Sequence, residues 1–149
     1  MSAGEYCNRE VIVVDKAESV REAIRLMRSN HVGDVVVVEQ QGNLTVPLGI
    51  LTDRDIVIEI LAEEVALDTV TIGDVMSYEL VTVGEDTMLM DAIKLMRSKG
   101  VRRLPVVDQQ GGLVGLLTVD DVLDLIVEQM SDLVALVSNQ ISKEQKLRE

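Results

Sequence analysis

Apolar residues at positions 20, 23, 24, 26 and 27, and again at 89, 92, 93, 95 and 96, follow the spacing that lines one face of a helix. Met27 and Met96 lie in these stripes and read as core filling rather than as a cofactor box. Ahead of each stripe runs a β-rich stretch, Val11 to Val14 and Leu80 to Val83, and Ser19 and Thr87 stand near the helix starts as candidate caps. Behind each stripe come two apolar runs parted by "EQQGN" and "DQQGG", which predict hairpin turns. A last helix begins after Thr52 and after Thr118. The predicted order is β-α-β-β-α, twice.

The two halves repeat in sequence as well as in pattern. "AIRLMRSNHV" at 23–32 matches "AIKLMRSKGV" at 92–101, an offset of 69, and "VVVVEQQGNL" at 35–44 matches "LPVVDQQGGL" at 104–113. The offset falls to 66 at "GILT" (49–52) and "GLLT" (115–118), so the first copy carries three extra residues around Thr45 to Pro47. A hairpin loop is expected to absorb them. The organisation that follows is a first repeat at 1–62, a connecting segment at 63–79 whose "IGDVM" forms a helical turn, a second repeat at 80–130 and a helical extension at 131–149. That extension continues an apolar stripe through Met130, Leu133, Val134, Val137 and Ile141, which wants a partner surface. Neither repeat is large enough to be comfortably stable alone. The expected fold is α/β (α+β), with the two repeats packed through their sheets about a pseudo-twofold axis that creates two similar clefts.

Composition narrows the function. With 26 acidic against 14 basic residues the formal charge is −12, which disfavours nucleic-acid binding because no basic face displaces phosphate counterions. Phe and Trp are absent and Tyr6 and Tyr78 are the only aromatics, so base-stacking platforms are missing too. No apolar run approaches the roughly 18 residues of a membrane span; "VVVV" at 35–38 is a buried strand. The single Cys7 and the opening "MSAGEYCNRE", which lacks a basic and then apolar leader, lead to the expectation of a cytoplasmic protein. His31 stands alone, away from any second metal ligand, and reads as a loop residue after a helix. No His–Ser or His–Cys pairing, metal-ligand cluster or Gly-rich phosphate loop indicates an enzyme, and the adjacent Asp120 and Asp121 point in different directions on a helix.

Thr-x-x-Asp occurs at the same place in both repeats: Thr52 with Asp55, and Thr118 with Asp121. Two readings are open. In the first it is a capping box, with threonine and aspartate satisfying the amides of the first helical turn. In the second the same geometry holds a ligand: free amides and a hydroxyl favour a phosphate, and the carboxylate accepts two hydrogen bonds from a ribose diol. Aliphatic strand residues would then take the base.

The motifs "GILTDRDI", "GLLTVDDV", "VRRLPVVDQQGGLVG" at 101–115 and "IGDVMSYELVTV" at 72–83 together resemble a tandem pair of cystathionine-β-synthase (CBS) domains, a Bateman module, over residues 8–130. The resemblance implies a regulatory module that binds adenosine-containing ligands between its repeats. AMP, ADP and ATP are the leading candidates; S-adenosylmethionine and NAD-type ligands belong to the same class. It also implies a disc-shaped homodimer, and, with no effector domain fused, an output passed to a separate protein. Carried over by position, Asp55 and Asp121 hold ribose hydroxyls, and Thr52 and Thr118 lie against ribose or phosphate. The adenine sits among Val13 or Thr82 and the backbone of Gly33, Asp34 and Val35 or of Arg102, Arg103, Leu104 and Pro105. Arg102 and Arg103 match positions that face phosphates, whereas the first copy has Gly33 and Asp34 there and Val36 in place of Pro105. The sites are therefore unequal, and the expectation leans to the one built on Asp121, with Arg102 and Arg103 open to either ligand because both clefts face the same middle. Salt bridges to the many carboxylates are the alternative role for the two arginines, and Arg54 reads as a solvated side chain. The rival to the sensor is a structural dimerisation module whose motifs survive only as caps.

Overall fold

The computed structural model describes residues 1–148. In the first repeat β1 (Val13–Asp15) pairs in parallel with β2 (Asp34–Gln41), which pairs antiparallel with β3 (Leu44–Thr52). The second repeat has the same order in β4 (Val83–Gly84), β5 (Arg103–Val107) and β6 (Leu113–Thr118). The helices are α1 (Ala3–Tyr6), α2 (Val20–Asn30), α3 (Asp53–Ile56), α4 (Ile72–Val75), α5 (Leu89–Lys99) and α6 (Val119–Arg148). A π-helical turn, Val57–Leu61, prolongs α3. The mixed α and β architecture of two three-stranded sheets matches the expected class.

Each apolar helix stripe covers its own sheet. Val20, Ala23 and Met27 pack with Val35, Val37 and Leu51 in one core, and Leu89, Ala92 and Met96 pack with Leu104, Val106 and Leu117 in the other. A third, smaller core joins the repeats through Val36, Val38 and Leu116, the residues on the opposite sheet faces. Strand alternation thus gives each sheet one face for its helix and one for the other repeat.

The local signals were partly displaced. Ser19 caps α2, its Oγ accepting the Glu22 N–H at 3.2 Å. Thr87 does not cap α5, which starts two residues later behind Met88; the Thr87 carbonyl instead accepts the Ala3 N–H at 2.8 Å. His31 ends α2 with φ of 54°, the place taken by Gly100 (φ 66°) after α5. The three extra residues of the first copy do not bulge into a loop. Thr45, Val46 and Pro47 pair with Gln40, Glu39 and Val38, so the insertion lengthens the hairpin as ladder. Pro47 is tolerated because β3 is an edge strand.

The ends of the repeats are exchanged. Residues 2–8 pack on the second repeat: the Gly4 N–H donates to Glu85 O, and Asn8 and Leu116 exchange two backbone hydrogen bonds of 2.9 Å. Segment 71–77 does the same on the first repeat, with Ile72 and Gly73 donating to Glu18 and Lys16 and Ser77 donating to Ile50. The 69-residue offset therefore extends back to Gly4 and Gly73, and sequential repeat boundaries are not spatial ones. Cys7 lies inside this exchanged segment, and burial pushes its thiol above the usual cysteine range. A thiol raised this way favours the folded state at low pH, and that contribution is lost as pH rises through the shifted value. Alkylation of Cys7 by iodoacetamide at neutral pH is expected to be several-fold slower than in the urea-unfolded chain, and equal rates would contradict the packing.

Candidate functional site: two clefts across the pseudo-twofold

The helix that follows β3 begins with a closed capping box. Thr52 Oγ1 accepts the Asp55 N–H at 3.1 Å and Asp55 Oδ2 accepts the Thr52 N–H at 3.0 Å. The second copy is looser. Thr118 Oγ1 accepts the Asp121 N–H at 3.2 Å, but Asp121 Oδ2 takes its bond from the Thr118 hydroxyl at 2.9 Å. Both aspartates are half-buried. Capping and a ligand role are compatible, since each carboxylate has a second oxygen outside the box.

Each Thr-x-x-Asp faces the opposite repeat. Thr118 and Asp121 look across a cavity of about 360 Å³ at Glu10, Val11, Ile12, Gly33 and Asp34, with Leu116 between. Thr52 and Asp55 look across one of about 320 Å³ at Glu79, Leu80, Val81 and the Gly100–Arg103 segment, with Ile50 between. Glu10 to Ile12 and Glu79 to Val81 are pseudo-twofold mates at the same offset of 69. Pattern reading put Val11, Ile12, Leu80 and Val81 in β-rich stretches. The strands begin later, at Val13 and Val83, and the residues ahead of them form cleft wall.

The structure brings Gly33, Asp34, Thr118 and Asp121 to the first cleft, Thr52 and Asp55 to the second, and Arg102 and Arg103 to both. Five of the anticipated residues line neither. Val35, Leu104 and Pro105 are buried in or beside the cores because they lie inside strands. Val13 is exposed and Thr82 half-buried, each one residue past the cleft wall.

Charge separates the clefts. Arg103 pairs with Asp34, its pseudo-twofold mate, across the axis, and both are mostly shielded from solvent. Arg102 reaches Asp120 at 3.8 Å on the surface, where such a pair contributes little. Around the Asp121 cleft four carboxylates (Glu10, Asp34, Asp120, Asp121) face two arginines. Around the Asp55 cleft two carboxylates (Asp55, Glu79) face the same two. Among the described residues no group of three His, Cys, Asp or Glu is placed to hold a metal ion. No helix of the described residues is long and apolar enough to cross a membrane.

A pseudo-twofold pair of β-α-β-β-α repeats with a cleft on either side of the axis defines a class of tandem-repeat modules. The CBS domain family model matches twice, at residues 3–62 and 72–128, and the chain belongs to that family. It is similar to the CBS domain-containing protein YhcV of Bacillus subtilis, 40% identical over 131 residues that cover 88% of this chain and 87% of that one. An uncharacterised protein of Methanopyrus kandleri is 39% identical over 125 residues, covering 84% of this chain; the chain spans only 62% of that relative's length. Among solved structures, CBSX2 in complex with AMP is 27% identical with a TM-score of 0.72, over 87% of this chain and 98% of that one.

Proposed function

We infer that the chain is a non-catalytic regulatory module that binds an adenine nucleotide between its repeats and passes its ligand state to a separate effector protein. The observation that carries this reading is the pair of clefts, each with a Thr-x-x-Asp on one side and an aliphatic wall on the other. A carboxylate there accepts from both hydroxyls of a ribose, and the apolar wall takes the base. The AMP bound by a similar structure supports the ligand class.

The charge pattern favours different ligands in the two clefts. Arg102 and Arg103 line both clefts, and in the Asp55 cleft they take the place that Gly33 and Asp34 hold in the other. A phosphorylated ligand therefore favours the Asp55 cleft, where the lining charges balance. The more acidic Asp121 cleft suits an adenosine compound without phosphate, such as the sulfonium cation S-adenosylmethionine. Ligand binding acts by favouring one packing of the repeats, or of two copies in a homodimer, over another. A cytoplasmic setting accords with the lone cysteine.

Isothermal titration with AMP tests the assignment. Asp34→Asn releases Arg103 from its carboxylate partner and is expected to tighten AMP binding several-fold, whereas Arg103→Ala weakens it by about tenfold. Affinity unchanged in both variants would remove the phosphate from this place.

A further inference from the structure

The 30-residue α6 leaves the body of the protein after its second turn. Val122 and Leu125 pack into the second core and Gln129 touches Met1, whereas every described residue from Ile126 to Arg148 is exposed. That projecting length is about 35 Å of helix, and in proteins most helical stability comes from packing an apolar face. Its exposed side is not polar. Leu123, Val127, Met130, Val134, Val137 and Ile141 are 52–65% exposed and recur at alternating steps of four and three. This is an unbroken seam of six heptad core positions, turned about a third of a turn from Val122 and Leu125.

We propose that this seam is covered by α6 of a second copy of the chain, running antiparallel and crossing at the level of Asp132. Two features fix the occupant and its direction. Acidic residues gather at one end of the helix: residues 119–132 carry Asp120, Asp121, Asp124, Glu128 and Asp132 and no base, whereas the far end carries Lys143, Lys146 and Arg148 with Glu144 among them. A parallel partner stacks five carboxylates on five, whereas an antiparallel one leaves only Asp132 level with itself, sets the other four against residues 133–145, which carry only Lys143 and Glu144, and opposes the helix dipoles. The seam is also symmetric about its centre. In an antiparallel pair Leu123 meets the partner's Ile141, Val127 meets the partner's Val137 and Met130 meets the partner's Val134. Ser131 lies beside the partner's Ser131, so small residues let the helices approach closely. The two cores then sit at opposite ends of the pair.

This inference rests on the homodimer part of the proposed function and is independent of the ligand. The test uses the full chain with Cys7→Ser, into which Val127→Cys or Val137→Cys is introduced separately. After mixing and mild oxidation, the antiparallel register predicts a disulfide-linked pair of one Val127→Cys and one Val137→Cys chain, with little product from either alone. Self-linkage of Val127→Cys would overturn the direction. In parallel, sedimentation of the Val134→Glu chain is expected to show half the mass of the native chain, with AMP affinity unchanged. A native chain that sediments as a monomer would overturn the pairing and the homodimer together. A Val134→Glu chain that keeps the native dimer mass would overturn the α6 pairing alone.

Discussion

Replacing Asp55 by alanine is expected to weaken AMP binding by about ten- to hundredfold, the loss of a charged hydrogen bond worth about 1.5–3 kcal/mol. The same change removes a carboxylate from the first turn of a short helix, which costs about 0.3–1 kcal/mol of stability. The two readouts separate the two readings of the motif. The closed box at Thr52, with both reciprocal bonds present, favours capping. If Asp55 did no more than that, stability would fall and AMP affinity would stay where it was. Asp121→Ala is the internal comparison. Its cleft is the more acidic one, so its loss is expected to leave AMP affinity within about threefold.

A second large effect belongs to Gly115, where the exchanged N-terminal segment crosses β6. A Cβ built there comes within 2.6 Å of both Asn8 O and Cys7 Sγ. The two backbone hydrogen bonds between Asn8 and Leu116 hold that segment in place, so it cannot retreat without losing them. Gly115→Val is expected to destabilise the chain by about 3 kcal/mol, a fall of about 6–12 °C in Tm, and to speed Cys7 alkylation. Gly84→Ala is the control, since its nearest neighbour would be Thr87 Oγ1 at 3.5 Å. Equal melting temperatures for the two variants would contradict the crossing. Gly49 meets Ser77 in the same way in the other repeat, so the constraint is a property of the exchange itself.

The helices, hairpins and repeat were legible because each is encoded by contiguous pattern: a stripe at helical spacing, a turn with glycine, a copy at fixed offset. The exchange was less visible. Its signal is short, Gly4 with Gly73 and Glu10 with Glu79, and it becomes readable only when the offset of 69 is followed back ahead of the first strand. The same gap explains the cleft partners. Position along the chain associates Arg102 and Arg103 with Asp121, and the pseudo-twofold brings them to the Asp55 cleft as well. Val35, Leu104 and Pro105 follow cleft residues inside strands, and strand alternation turns their side chains into or beside the cores, leaving only backbone to face a ligand. Thr87 failed as a cap because the N-terminal segment claims its carbonyl and the helix starts after Met88. In each case the deciding contact is long-range.

Thermal unfolding of the native chain with adenosine compounds tests the central claim most directly. At 100 times its dissociation constant a ligand specific for the folded state stabilises it by about 2.7 kcal/mol, which for a chain of 149 residues raises Tm by about 5–10 °C. The account predicts a rise of that size with AMP. A Tm unmoved by millimolar AMP, ATP and S-adenosylmethionine alike would contradict it, and would leave the twin Thr-x-x-Asp motifs as caps.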